Sequence, residues 1–255
     1  MSTMTILTEW LPLVPAPELA NAEVHVWRAP LTADSSVVQW LHGTLQPDER
    51  SRAERFILER DRNRFIAARG ILRRLLGAYL ECEPQKVDFI YGPYGKPAIS
   101  GAGLHRPLSF NLSHSHELAL IAVASGRELG IDVEKIRPEF AGEEIAARYF
   151  SAQELEELRL LPVEQRAEGF FHCWTRKEAY VKALGAGLRF PLDSFRVSLT
   201  PGSPPQLQSA DCHRWALRSL APEHGYVAAL VGEGSDWQMR QFSWRFENEA
   251  PVSQR

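Results

Sequence analysis

The chain has 255 residues, 44% hydrophobic, 24% charged and 10% aromatic, which excludes global disorder, collagen-like and simple coiled-coil architectures and suits one large domain or two of about 120 residues. A net charge of −3 argues against nucleic-acid binding by bulk electrostatics, and three dispersed cysteines (Cys82, Cys173, Cys212) exclude a disulfide framework and fit a reducing, cytoplasmic setting. The longest apolar run, seven residues over 118–124, falls far short of the ~20 that span a bilayer, and the first residues lack the basic stretch of a secretory signal.

Along the chain, alternation predicts a strand over 22–28, then a helix over 32–43. Helices follow over 47–59 and 61–80, ending before Pro84. Phe65, Ala68, Leu72, Leu75, Leu76 and Tyr79 recur at three- and four-residue steps and make one apolar stripe. Residues 50–76 carry nine arginines against three acids, a local charge of +6. Most of these arginines are expected on solvated faces in i,i+4 ion pairs. The excess charge asks for an anionic ligand or an acidic partner.

A short strand over 86–91 runs into Gly92-Pro93-Tyr94-Gly95-Lys96-Pro97, dense in turn formers. Residues 108–111 and 117–124 read as strands, the second fully buried, with a turn at 125–127 and another strand over 129–134. Helices are expected over 141–149, from the Ser151–Glu154 capping box onward, and over 163–184, stopped by Gly185 and Gly187. Strands near 194–199, 213–219, 225–231 and 237–244 complete the reading, with a polar tail from Glu247 expected to fray. Strands often follow one another directly, which argues for an α+β fold. The boundary falls near 125–128, giving subdomains 1–126 and 127–255; no repeat is visible in the sequence.

Three clusters carry candidate chemistry. On the strand at 129–134, Ile131 and Val133 face the core, so Asp132 and Glu134 share the other face. Two carboxylates on one face suit a hard cation such as Mg²⁺, which takes oxygen ligands; an exposed acidic face is the ordinary alternative. On the longest helix, Glu178 and Lys182 stand one turn apart, with Trp174 one turn earlier on the same stripe. That pair is either a surface salt bridge or a carboxylate in partly apolar surroundings able to act as base or third metal ligand. The third cluster, Phe110 to His116, is read as leaving a strand and entering a turn. Its serines and histidines suit phosphate better than zinc, because no third zinc ligand is near. Gly-x-Ser-x-Gly, P-loop and dinucleotide fingerprints are all missing from the sequence. Only five of 29 basic residues are lysine, and four of these fall in or directly beside the segments singled out: Lys96, Lys177 and Lys182 inside them and Lys135 next to Glu134. The residues alone leave open a Mg²⁺-dependent phosphotransferase or nucleotidyl enzyme, or a non-catalytic module whose arginine-rich helix grips an acidic protein.

Tyr94-Gly95-Lys96-Pro97, Phe110 to Ser115, Gly130 to Glu134, Trp174 to Lys182 and Gly185 to Leu188 together resemble the Sfp-type 4′-phosphopantetheinyl transferases. The resemblance spans about 20–235, and block order and spacing carry it. It implies two similar α/β subdomains related by a pseudo-twofold, with coenzyme A in the cleft between them. It also implies transfer of the phosphopantetheine arm to a serine of an apo acyl or peptidyl carrier protein, releasing adenosine 3′,5′-bisphosphate. By motif position, Asp132, Glu134 and Glu178 would hold Mg²⁺, with Asp132, Glu178 and Lys182 the catalytic set. Arg52, Arg64, Lys96, Ser113, His114, Asp132 and Lys182 would bind coenzyme A. A monomer would suffice, since the twofold lies within one chain.

Overall fold

The computed structural model describes residues 11–12, 18–100, 107–139 and 142–246. The strand β1 (Leu11–Pro12) is followed by β2 (Glu23–Pro30), then helices α1 (Ser35–His42), α2 (Pro47–Glu54) and α3 (Glu59–Tyr79). A short hairpin, β3 (Phe89–Tyr91) and β4 (Pro97–Ile99), leads to the antiparallel pair β5 (Leu108–Ser115) and β6 (Leu118–Ser125). The chain then begins again with β7 (Leu129–Lys135), helices α4 (Glu143–Tyr149), α5 (Ala152–Leu160) and α6 (Val163–Leu184), and a small hairpin, β8 (Arg196–Val197) and β9 (Leu207–Gln208). A second antiparallel pair, β10 (Trp215–Leu220) and β11 (Tyr226–Glu233), precedes the last strand, β12 (Gln238–Ser243). Strand, three helices, hairpin, antiparallel pair thus occurs twice, a repeat of elements that the sequence does not display.

The larger sheet has the order β1-β12-β2-β6-β5 and the smaller β10-β11-β7. β12 pairs parallel with β2, Phe242 opposite Trp27. Strand β12, although it follows the second half in sequence, therefore completes the first sheet: 238–243 pair with β2. The register is decided by side chains, since Phe242 stacks on Trp27 at 4.6 Å.

Three apolar cores stack in order. Leu41, Ile71, Leu72, Leu75 and Leu76 from α1 and α3 pack on Trp27, Ile121 and Val123 of the larger sheet. Val24, Leu120, Ala122, Ile131, Val133 and Leu230 fill the space between the sheets. Phe170, Phe171, Ala179 and Val181 of α6 cover Val227, Ala229 and Val231 of the smaller sheet. Each large apolar side chain buried this way contributes about 1.5–3 kcal/mol. The layering is helix, sheet, sheet, helix, and the burial of 118–124 follows from it, since β6 has core on both faces; Glu117, expected at the start of that buried strand, precedes it and is exposed.

Two local expectations change. The helix begun at Pro47 ends at Glu54, and the strand expected over 86–91 is confined to Phe89–Tyr91, preceded by a 3₁₀ turn at Pro84–Lys86. Arg73 is also no solvated arginine: it is 2% exposed and bonds the carbonyls of Pro84 and Val87.

Candidate active site

The two sheets meet edge to edge where β5 lies beside β7, and side chains rather than a backbone ladder join them. Asn111 Oδ1 accepts the Ile131 N–H at 2.8 Å, Ser113 Oγ donates to Asp132 Oδ1 at 2.8 Å, and Ser115 Oγ donates to Glu134 Oε2 at 2.8 Å. Ser115 Oγ also accepts the Lys135 N–H at 3.2 Å. Positions 111, 113 and 115 share one face of the strand because its side chains alternate with period two. Asn111 and Ser115 fall inside the 110–116 cluster but received no individual role from the sequence; their alternation with Ser113 was the available signal. The reading of 110–116 as a strand running into a turn also changes, since β5 continues to Ser115.

The helix α6 covers this seam because residue 130 is glycine. A Cβ there would stand 2.2 Å from the Ala179 carbonyl oxygen and 2.3 Å from the Ala183 nitrogen. Close approach brings Lys182 onto the strand. Its Nζ donates to Asp132 Oδ1 at 2.6 Å, to Ser113 Oγ at 3.0 Å and to the Ile131 carbonyl at 3.3 Å. Trp174, one turn before Glu178, stacks on Phe170 at 6.0 Å and meets Tyr149 edge-on at 5.8 Å.

Glu134 and Glu178 both feel the charge of the Asp132 carboxylate. Burial first, then the Asp132 carboxylate, pushes the pKa of Glu134 up; the same two causes in the same order push Glu178 up. Burial and the cations Lys182 and Arg64 lower His114. Lys182 pairs with one oxygen of Asp132, and the other, Oδ2, is buried with no hydrogen-bond partner. Among the described residues, no three His, Cys, Asp or Glu side chains converge as a ready-made metal cage; the cation nearest Asp132 is the Lys182 ammonium. An orphaned carboxylate oxygen beside two carboxyls of raised pKa nevertheless has the charge and donor chemistry that suit a hard divalent cation.

Two cavities flank the seam and share Leu112. One, of about 260 Å³, is lined by Tyr94, Lys96, Pro97, Glu178, Lys182 and Gly187 among others. The other, of about 190 Å³, is lined by Arg52, Phe65, Arg69, Tyr91 and His114 among others. Of the residues expected in the site, Glu178, Lys182 and Lys96 line the first cavity, His114 and Arg52 line the second, and Ser113, Asp132 and Glu134 lie on the seam itself. Arg64 lies beside it, paired with Glu117 at 3.3 Å. Lys96 lines its cavity, but its ammonium is spent on Glu128 at 2.8 Å and on the carbonyls of Leu129 and Ala183, both at 3.2 Å. Lys177, inside the same motif as Glu178, points away: it is 0% exposed and paired with Glu154 at 2.8 Å.

Comparison with known proteins matches each half of the chain to a family model. The family model described as the 4′-phosphopantetheinyl transferase superfamily matches residues 128–231, and the one described as 4′-phosphopantetheinyl transferase, N-terminal, matches 32–126. The 4′-phosphopantetheinyl transferase HetI of Nostoc sp. is 46% identical over 229 residues, covering 90% of this chain and 95% of HetI. The 4′-phosphopantetheinyl transferase Sfp of Bacillus subtilis is 29% identical over 194 residues, covering 76% and 84%. Matched across both halves and along nearly the full length of HetI, the chain belongs to the 4′-phosphopantetheinyl transferase superfamily.

Proposed function

We propose that this transferase moves the 4′-phosphopantetheine group of coenzyme A onto a serine of an apo acyl or peptidyl carrier protein, releasing adenosine 3′,5′-bisphosphate, with Mg²⁺ held by Asp132, Glu134 and Glu178. The observation that carries this reading is the buried Asp132 carboxylate, bonded to Lys182 and Ser113 through Oδ1 and left unpartnered at Oδ2.

The chemistry is displacement at phosphorus, in which positioning and charge neutralisation supply most of the catalysis. When bound, Mg²⁺ supplies charge neutralisation and a template for the pyrophosphate. The Lys182 ammonium, on a side chain that is 29% exposed, neutralises phosphate charge. Ser113 holds Asp132 in place across the seam, and Ser115 does the same for Glu134. Glu178, whose raised pKa makes it the more basic kind of carboxylate, accepts the proton of the incoming serine, directly or through one water. His114 and Arg52 face the second cavity, where a phosphate of coenzyme A finds donors and positive charge. Arg64 adds to that field from the rim. Lys96 supports the wall of the nucleotide cavity rather than reaching the nucleotide with its ammonium.

The acidic character of carrier proteins complements the arginine-rich face of α2 and α3. Among the described residues no helix is long and apolar enough to cross a membrane, and we propose a cytoplasmic monomer with no nucleic-acid partner. Incubation with coenzyme A, Mg²⁺ and an apo carrier protein, followed by intact mass measurement, tests the reaction. A gain by the carrier of one phosphopantetheine is expected; no gain across several carriers refutes it.

A further inference from the structure

Glu49 is an acid in the first turn of α2, in the most arginine-rich part of the chain, and it is 3% exposed. Both of its oxygens are in use. The Arg69 Nε donates to Oε1, the Arg73 Nε donates to Oε2 at 2.5 Å, and the Gln46 N–H donates to Oε2 at 2.9 Å. The two guanidinium groups, so held, extend to the β3–β4 hairpin. The Arg69 Nη2 donates to the Tyr91 hydroxyl at 3.0 Å. Arg73 fixes the approach to the hairpin through the carbonyls of Pro84 at 3.0 Å and Val87 at 2.9 Å. Both guanidiniums lie over the Phe89 ring, at 4.1 and 4.9 Å.

The far end of the same hairpin is fixed by Lys96 to β7 and to the last turn of α6, through the Leu129 and Ala183 carbonyls. Its turn carries Tyr94, Gly95, Lys96 and Pro97, which form one wall of the cavity opposite Glu178 and Lys182. The hairpin therefore bridges the two halves: Glu49 and Arg69 line the second cavity beside Tyr91, and the turn at 94–97 lines the first. A buried carboxylate between two guanidiniums is needed to keep both there: without it the like charges repel and Arg73 is left buried without a counterion.

We infer that Glu49 is a positioning residue for coenzyme A, acting through Arg69 and Arg73 to hold the 89–99 hairpin as a wall of the binding cleft. The inference rests on the reading of this cleft as the coenzyme A site. Glu49 touches neither Asp132, Glu178 nor Lys182 in any bond described above, so its loss should weaken binding while leaving the reacting groups in place.

The test is Glu49→Gln, assayed beside the unaltered chain with saturating carrier protein, together with amide hydrogen exchange over 87–99. A KM for coenzyme A raised by about 10-fold or more, with kcat within about twofold, is expected, since only binding-site order is lost. Exchange over 87–99 should quicken while α6 stays protected. An unchanged KM overturns the inference, as does a raised KM with unchanged exchange, which would make the effect purely electrostatic. Should Glu49→Gln fail to fold, Arg73→Lys, at a residue that lines neither cavity and keeps the charge but cannot make all the bonds to Glu49, Pro84 and Val87, decides by the same two readouts. Absence of turnover in the unaltered chain would instead refute the transferase reading itself.

Discussion

Lys182 reaches Asp132 through Oδ1 alone, at 2.6 Å, and Oδ2 of the same carboxylate stays buried without a partner. Burying half a carboxylate unsatisfied costs free energy, on the order of 1–3 kcal/mol or more for a charged group. An enzyme that binds a cation there recovers that cost on binding.

Asp132→Asn keeps the shape and removes the charge. Turnover is expected to fall by about 10²-fold or more, the scale for losing a group that stabilises transition-state charge. The circular dichroism spectrum should be unchanged. A chelator should silence the unaltered enzyme, and added Mg²⁺ should restore it. Near-normal turnover in the variant would remove Asp132 from the site.

Gly130→Ala tests the closeness of α6 to β7. The added methyl would meet backbone atoms at 2.2 and 2.3 Å, and backbone cannot rotate aside. Overpacking of this kind costs about 1–3 kcal/mol or more. Because Glu178 and Lys182 ride on the displaced helix, turnover should drop further than the melting temperature alone would explain. A variant with full activity and unchanged melting would contradict the packing described for this helix.

Lys177 and Lys182 lie in one motif but have different tasks. Lys177 is 0% exposed, paired with a Glu154 that also accepts the N–H groups of Ser151 and Val197, each at 2.8 Å. Lys177→Met strands that carboxylate and should lower stability by about 3–5 kcal/mol, the usual result of breaking a buried pair. Activity per folded molecule should persist. Lys182→Met should lose turnover and cost less stability than Lys177→Met, because the Lys182 side chain is 29% exposed whereas that of Lys177 is fully buried. Urea midpoints and initial rates on both variants separate the two roles.

His25 sets a pH dependence. It is 0% exposed, and burial, the largest influence, holds its pKa below the ordinary value despite the Glu23 carboxylate at 3.0 Å. Neutral His25 donates its Nε2–H to the Glu23 carboxylate at 3.0 Å, so its Nδ1 accepts the Tyr79 hydroxyl proton at 2.7 Å, and that hydroxyl in turn accepts the Trp27 indole N–H at 2.9 Å. A proton on Nδ1 would break that arrangement. With the folded pKa depressed, the stabilisation is complete above about 6.5, the unfolded value, and is lost as pH falls below it. Melting temperature should therefore fall between pH 7.5 and 5.5, and His25→Gln should make that fall shallower. Equal slopes in the two proteins would show that other groups govern the titration.

Much of this was legible from one-dimensional pattern. The 3.6-residue stripe of Phe65 to Tyr79 announced α3, the Ser151–Glu154 capping box announced α5, and alternation placed Asp132 and Glu134 on one face of β7. Five short blocks in fixed order named the family. Local chemistry sufficed there because propensity, capping and periodicity act between neighbours in the chain. What tertiary structure decided was every relationship across long separations. The stretch 110–116 is strand to Ser115 because β6 on one side and the side-chain seam to β7 on the other satisfy it. Arg73 looks solvated in sequence but becomes a buried anchor, since Glu49, 24 residues away, supplies its counterion. Lys96 looks like a ligand contact but spends its ammonium on carbonyls 33 and 87 residues distant. The return of β12 to the first sheet has no local signal either, since a strand's partner is chosen by the surface it completes. Composition and spacing determined which groups this protein has for handling phosphate. Which of them face the cleft, and which hold it in shape, was settled by packing, because burial and charge pairing depend on what the folded chain brings alongside.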